Sequence, residues 1–188
     1  ALNWSRPTRI AGIQLGTDYS LQPYTPTTPL PSFFGSATLP SSVELYMNGV
    51  KYYNGEVPAG NFELNTLPNI NGAGEAQVTM TDALGKTTVQ SFSFYNDQSL
   101  LRQGLSEWSA EAGVVRNNYG YESFDYASTP AFSGTWRHGI SNSLTAGGHA
   151  EATQSLINAG FSSDWIPGSN SGTISTALAA SADAGKNG

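Results

Sequence analysis

The chain has 188 residues, of which only 12% are charged, and its formal net charge is −6 at pH 7. Eight scattered basic residues form no patch, which argues against a nucleic-acid partner. The sequence contains no cysteine, and this excludes disulfides and thiolate metal sites. No apolar run approaches the roughly 18 residues of a membrane helix. Because the chain begins at Ala1 without a signal peptide, we expect it to be a piece of a longer protein.

Turn signals dominate the first half of the chain. Almost no segment has the 3.6-residue period of a helix, so an all-β fold is predicted. From Pro26 to Asp97 the strands are short and are separated by turns at Asn48-Gly49, Asn54-Gly55 and Val57-Pro58-Ala59-Gly60. About six or seven strands in roughly 70 residues are typical of a small β-sandwich.

Gly72 and Gly74 are spaced as in a phosphate-binding loop. Such a loop is followed by a helix, whose free N–H groups hold the anion. Here Glu75 to Thr81 alternate between apolar and polar residues instead, which is the period of a strand. The two glycines are therefore predicted to turn the chain, with Asp82-Ala83-Leu84-Gly85 as the next turn of a hairpin.

The predicted strands lengthen to about ten residues after Leu105, and their apolar face consists largely of small residues. Leu105–Arg116 and Leu144–Thr153 each alternate small apolar with polar side chains, and aromatic residues lie near the strand ends. This pattern is typical of transmembrane β-barrel strands. An antiparallel sheet with one solvated face has the same alternation. The alanine and glycine content favours the barrel, because a soluble core needs larger side chains.

No arrangement of residues indicates catalysis. Glu107 and Glu111 are predicted on one strand face, but four residues separate their carboxylates by roughly 13 Å. That exceeds the roughly 5–9.5 Å between the two carboxylates of a glycosidase. We therefore predict that the chain is not an enzyme and has no small-molecule substrate.

His149 and Glu151 are neighbours on one predicted strand face, at a spacing compatible with a metal ion. With only His138 as a further histidine, a three-ligand site is not supported, so no metal and no cofactor are predicted. The acidic residues beside aromatics are assigned to solvated loops; they are Asp18, Asp125 and Asp164.

An aromatic-rich stretch allows a second function. Tyr119, Tyr121, Phe124 and Tyr126 either stack on a sugar or form an interfacial belt or loop contacts. The first interpretation describes a secreted or surface β-sandwich adhesin or carbohydrate-binding module, and it predicts that the whole chain dissolves in water.

The segment from Ser41 to Lys86 contains five short motifs in a fixed order. They are Asn48-Gly49, Val57-Pro58-Ala59-Gly60, Leu67-Pro68, Gly72-Ala73-Gly74-Glu75 and Asp82-Ala83-Leu84-Gly85. With these motifs the segment closely resembles the middle region of outer-membrane ushers of chaperone–usher pili, and one departure is the extra residue Ala59 in the second motif. Segments similar to usher barrel strands flank it at Arg9–Asp18, Ser99–Gly120 and Gly134–Ala152.

The resemblance implies a multi-pass β-barrel protein of the bacterial outer membrane, in which a small β-sandwich plug is inserted between two barrel strands. Residues 1–25 would then be the barrel strand before the plug, 26–97 the plug and 98–188 further barrel strands. Pro26–Pro31 and Asn96–Ser99 would be the linkers. The plug would close a pore for pilus subunits, with periplasmic chaperone–pilin subunit complexes and outer-membrane lipid as partners.

In such a barrel, alternate side chains of each strand face the lumen and the lipid. Truncating a lumen-side pair that touches the plug is expected to raise the leak conductance. The predicted lumen-facing or gating residues are Glu107, Ser109, Glu111, Arg116, Arg137, Thr145, His149 and Glu151, with the two arginines expected to pair with carboxylates. The predicted lipid-facing residues are Trp108, Ala110, Val114, Phe161 and Trp165.

Overall fold

The computed structural model describes residues 9–22, 24–66, 70–118, 120–122, 124–168 and 171–183. The motif Leu67-Pro68 and the aromatic residue Tyr119 lie outside the described residues. Within these ranges the regular elements are strands and one short 3-10 helix, Tyr19–Leu21, which confirms the all-β fold class. None of the described residues belongs to a helix long and apolar enough to cross a membrane.

The strands of the described chain fall into three antiparallel sheets. They are β1 (Ile10–Gly16), β2 (Ser32–Ala37), β3 (Ser41–Met47), β4 (Val50–Val57), β5 (Gly60–Asn65), β6 (Gly72–Asp82), β7 (Thr87–Asn96), β8 (Ser106–Arg116), β9 (Tyr126–Ser141), β10 (Leu144–Ala152), β11 (Leu156–Trp165) and β12 (Ile174–Asp183).

One sheet has six strands in the order β1-β8-β9-β10-β11-β12. The remaining strands form a two-stranded sheet, β2-β5, and a four-stranded sheet, β4-β3-β6-β7. The chain thus leaves the six-stranded sheet after β1, builds the two smaller sheets and returns as β8, the ladder neighbour of β1.

The two smaller sheets share one hydrophobic core and form a β-sandwich. Val43, Leu45 and Met47 of β3 are fully buried, and Phe33 of β2 lies edge-on to Phe94 of β7 with ring centroids 5.9 Å apart. The complete core consists of Phe33, Ala37, Val43, Leu45, Met47, Val57, Leu64, Ala76, Val78, Met80 and Phe94.

Two of the predicted turns differ from the structure. Asn48-Gly49 forms the expected hairpin turn, with positive φ at both residues. Asn54-Gly55 does not turn the chain, because both residues pair with β3 inside the longer strand β4. Gly74 likewise lies inside β6, where a Cβ would come within 2.5 Å of the Phe94 ring. This glycine makes room for a core aromatic side chain rather than for a turn.

The sandwich core predicts a large difference between two leucines. Leu45→Ala should destabilise the sandwich by about 2–5 kcal/mol, because Leu45 is fully buried and its removal leaves a cavity. Leu84→Ala is the matched control, since Leu84 lies in a turn and is 83% exposed. Hydrogen exchange of the β3 and β6 amides measures the effect, and equal protection in the two variants would contradict it.

Candidate functional site

The ladder of the six-stranded sheet divides its side chains between two faces, because directly paired residues lie on the same side. Glu107 pairs with Arg137, Ser109 with Thr135, and Glu111 with Ser133. Across β10 and β11 the same face continues with polar and small residues. Together the predicted residues on this polar face are Glu107, Ser109, Glu111, Arg137, Thr145, His149 and Glu151.

The opposite face is apolar and includes every predicted lipid-facing residue. Trp108 pairs with Trp136, and the same row continues through Gly148 to Phe161. Trp165 lies on the same face at the end of β11, four residues beyond Phe161, and pairs with Leu144. Aromatic side chains gathered near one end of the strands are typical of the girdle at a membrane boundary.

Burial on this sheet is the reverse of that in a water-soluble sheet. In β8 and β11 most apolar side chains are exposed, with Val114 half-buried, whereas the alternating polar ones are half-buried. Phe161 is 53% exposed and Ile157 61%, while His149 on the polar face is only 7% exposed. A soluble core would bury the apolar side, so this distribution suits a sheet whose apolar face lies in a nonaqueous environment.

Arg137 is the electrostatic centre of the polar face. Its Nη1 lies 3.3 Å from Glu107 Oε2, and its Nη2 lies 4.0 Å from Asp164 Oδ2. Nη2 also donates a hydrogen bond to the backbone carbonyl of Ser99. Asp164 was predicted in a loop, but it lies in β11 and pairs with Thr145 across the ladder. The strand alternation brings its carboxylate to the polar face.

Two further polar contacts lie on this face. Ser109 Oγ and Thr135 Oγ1 are 2.6 Å apart, and His149 Nε2 lies 2.7 Å from Glu151 Oε1. His138 faces the other way and stacks on Trp136 with ring centroids 5.8 Å apart. The two histidines are therefore on opposite faces. No group of three metal-ligating acids and histidines occurs among the described residues.

The predicted residue Arg116 lies at the other end of β8, far along the strand from Glu107. A register shift after Val114 pairs it with Tyr126, and its guanidinium carbon is 6.0 Å from that ring centroid. Of the aromatic stretch, Tyr121 and Phe124 are 93% and 84% exposed in the loop between β8 and β9. Arg116 and Arg137 are therefore not brought together.

Residues 97–105, which we call the outgoing segment, connect the sandwich to β8 and cross the polar face. The Leu101 N–H donates a buried 2.8 Å hydrogen bond to Thr145 Oγ1. Leu100 and Leu101 are 2% and 3% exposed. Gln103 N donates to Asn142 Oδ1 at 3.0 Å in the turn between β9 and β10. Of the residues that make these contacts, only Thr145 and Arg137 were predicted as site residues, because the contacts join segments that are distant in sequence.

Asp97 begins the outgoing segment and binds the loop between β11 and β12. Its carboxylate accepts hydrogen bonds from Thr173 Oγ1 and, at 2.8 Å, from Ser99 N. Burial by itself raises the pKa of this carboxyl, but these two hydrogen bonds and the nearby Arg137 together lower the pKa below its ordinary value of 3.8. The ionised form therefore stabilises the contact.

A sequence model of the family described as outer membrane usher protein matches residues 6–183. The chain belongs to the outer membrane usher protein family. Ushers are transport and assembly proteins, which agrees with the prediction that the chain is not an enzyme. Usher membership places the chain in the outer membrane, as the resemblance implied.

Curated usher relatives are much longer than this chain. The outer membrane usher protein FimD of Escherichia coli K12 is 29% identical over 129 residues, covering 69% of this chain and 14% of FimD. FimC of Bordetella pertussis is 26% identical over 138 residues, covering 73% of this chain and 16% of FimC. The F1 capsule-anchoring protein of Yersinia pestis is 33% identical over 107 residues, 57% of this chain and 13% of that protein.

Solved usher structures also match the chain, at low identity and with TM-scores below 0.5. The PapC translocation pore matches 92% of this usher chain and 35% of PapC, with 22% identity and a TM-score of 0.40. PapC in a P pilus tip assembly intermediate with PapD, PapK and PapG matches 82% of this chain and 18% of that chain, with 21% identity and a TM-score of 0.48.

The lowered pKa of Asp97 predicts a pH-dependent contact. Since the folded-state pKa lies below the ordinary value, the ionised Asp97 stabilises the contact above about pH 4. The stabilisation is lost as the pH falls through the folded-state pKa. Hydrogen exchange of residues 97–103, corrected for intrinsic rates, should therefore accelerate between pH 5 and pH 2.5. In Asp97→Asn it should be fast already at pH 5, and an identical acid-induced change in both proteins would contradict the prediction.

Proposed function

We propose that this usher segment forms part of a gated outer-membrane pore for pilus subunits. In this proposal residues 26–97 are the plug, while residues 1–25 and 98–188 belong to the barrel wall. The observation that supports it best is the reversed burial of the six-stranded sheet, combined with a compact β-sandwich inserted between two neighbouring strands. Usher membership favours this function over the adhesin alternative.

The polar face supports a lumen assignment. A water-filled pore requires polar walls, and the Glu107–Arg137–Asp164 cluster provides charges of both signs on one face. The outgoing segment crosses this same face, which leads the chain from the sandwich to the wall on the lumen side. Arg137 and Thr145 are the predicted gating residues with contacts to the outgoing segment.

Subunit transport follows from the family rather than from a binding site on this chain. FimD and FimC are named outer membrane usher proteins, and a PapC structure contains PapD, PapK and PapG in a tip assembly intermediate. By analogy, we propose chaperone–subunit complexes as the partners that displace the plug, and membrane lipid as the partner of the apolar face.

Two adjacent alanines on β12 test the lipid assignment. Ala180 pairs with Ala159 on the apolar face, whereas Ala179 pairs with Gly160 on the polar face. Ala180→Arg should destabilise the folded protein in a bilayer by up to about 2–4 kcal/mol, depending on depth, because it places a charge in lipid. Ala179→Arg adds the same side chain toward water and should have a small effect. Urea unfolding in liposomes measures both, and equal stabilities would refute the assignment.

Removing the sandwich tests the gate. In the full-length usher that contains this chain, replacing residues 32–96 by a short Gly-Ser linker should convert a mostly closed channel into one with a large, steady current. The wall should remain folded, because β1 and β8 pair directly with each other. Planar-bilayer recording of the intact and deleted proteins measures the current. An unchanged current in a folded deletion variant would disprove plug gating.

A further inference from the structure

The outgoing segment is attached to the wall as if it were part of the ladder. Gly104 N donates to the Gly139 carbonyl at 2.9 Å, and Gly139 N donates to the Leu105 carbonyl at 3.0 Å. These two bonds extend the β8–β9 pairing to the residues just before β8 begins at Ser106. Immediately before them, the Leu101 N–H binds Thr145 Oγ1 on the next strand, β10. The chain is therefore held to two adjacent wall strands after it leaves the sandwich and before it enters β8.

Gly139 leaves room for the backbone of the outgoing segment where it crosses β9. A Cβ built at Gly139 would lie 2.5 Å from the Leu101 carbonyl oxygen and would also overlap the Arg102 carbonyl group. These neighbours are backbone atoms, which cannot swing aside as the end of a side chain can. Gly134, in the same strand, is different, because a Cβ there would meet only the Ser109 carbonyl oxygen, at 3.8 Å.

The outgoing segment is also tied to the segment that leads into the sandwich. Arg102 N donates a 2.7 Å hydrogen bond to the Thr27 carbonyl. The two connections of the sandwich thus meet at one point beside the wall. Contacts that hold residues 101–102 in place therefore also restrain the segment around Thr27, which leads into the sandwich.

We infer that Gly139 and Thr145 form a wall anchor that holds the outgoing segment, and that this anchor determines how often the plug leaves its closed position. The inference rests on the proposed plug function and goes beyond it, because it assigns positioning roles to a glycine and a threonine of the wall. Neither residue touches a transported subunit in this role. They act through the backbone of Leu101 and Arg102.

Two pairs of variants in the full-length usher test the anchor. Gly139→Ala forces the outgoing segment away, whereas Gly134→Ala is the matched control in the same strand. Thr145→Val keeps the shape of the side chain but leaves the buried Leu101 N–H without its acceptor. Thr145→Ser retains the hydroxyl group and should restore the contact.

Single-channel recording in planar bilayers gives the frequency of opening. We expect Gly139→Ala and Thr145→Val to raise it at least about fivefold, because an unsatisfied buried N–H group destabilises the closed state by about 1 kcal/mol or more. Gly134→Ala and Thr145→Ser should resemble the wild type. Hydrogen exchange of residues 98–103 should accelerate in the first two variants and stay unchanged in the other two, a change that a defect elsewhere in the wall would not produce.

The deletion of residues 32–96 separates failure of the anchor from failure of the gate. If that deletion opens the channel while Gly139→Ala and Thr145→Val keep the wild-type opening frequency, the anchor is disproved and the gate stands. If the deletion leaves the current unchanged, the proposed gate fails. Should Gly139→Ala not fold, the comparison of Thr145→Val with Thr145→Ser remains decisive, and equal behaviour of these two would overturn the role of the hydrogen bond.

Discussion

The register of the six-stranded antiparallel ladder determines which side chains of neighbouring strands share a face. Side chains alternate between two faces, so a slip of one residue would move every side chain of a strand to the other side. The observed register places Arg137 opposite Glu107 and Trp136 opposite Trp108. It also brings Gly139 under the outgoing segment. Charges, tryptophans and the chain crossing are thus set by one pattern of backbone hydrogen bonds.

The sandwich and the six-stranded sheet are stabilised in different ways. The sandwich buries large apolar side chains such as Leu45 and Phe94 between its two sheets, so it has a core of its own. The sheet has few large buried side chains and exposes aromatic residues such as Trp108, Trp136 and Phe161 on its apolar face. Its strands depend on their neighbours for hydrogen bonding and on their surroundings to cover the apolar face. This difference explains why sequence composition changes so clearly near Leu105.

Local patterns predicted much of this fold. Alternation assigned the faces of β8, β10 and β11, and the Asn48-Gly49 signal located a hairpin, because both depend on residues close in sequence. Asn54-Gly55 failed for the opposite reason: pairing with β3 holds this dipeptide in a strand although it favours a turn. Whether such a dipeptide forms a turn or part of a strand depends on its pairing with other strands, and a local sequence pattern does not show this pairing.

The contacts of the polar face depended on information that no local pattern contains. The strand pattern placed Glu107 and Arg137 on strands, but only the register shows that they are opposite each other. Gly139 had no distinguishing feature, because its importance comes from the backbone of Leu101 and Arg102, a distant part of the chain. Asp97 was predicted in a linker. Its partner Thr173 lies in the loop between β11 and β12, so four strands separate the two residues in the sequence.

In the proposed gate, the point of insertion explains how a movable sandwich is compatible with a continuous wall. Residues 17–105 leave from the end of β1 and return at the start of β8, and these two strands are paired from Ile10–Val115 to Gly16–Ser109. The two ends of the insertion therefore lie on neighbouring strands, with the start of β8 at Ser106 roughly 10 Å along the ladder from Ser109, the partner of Gly16. Hydrogen bonds between β1 and β8 remain intact wherever the sandwich lies. Since the ladder itself does not restrain the sandwich, its position depends on contacts outside the ladder, and those of the outgoing segment are closest to the junction.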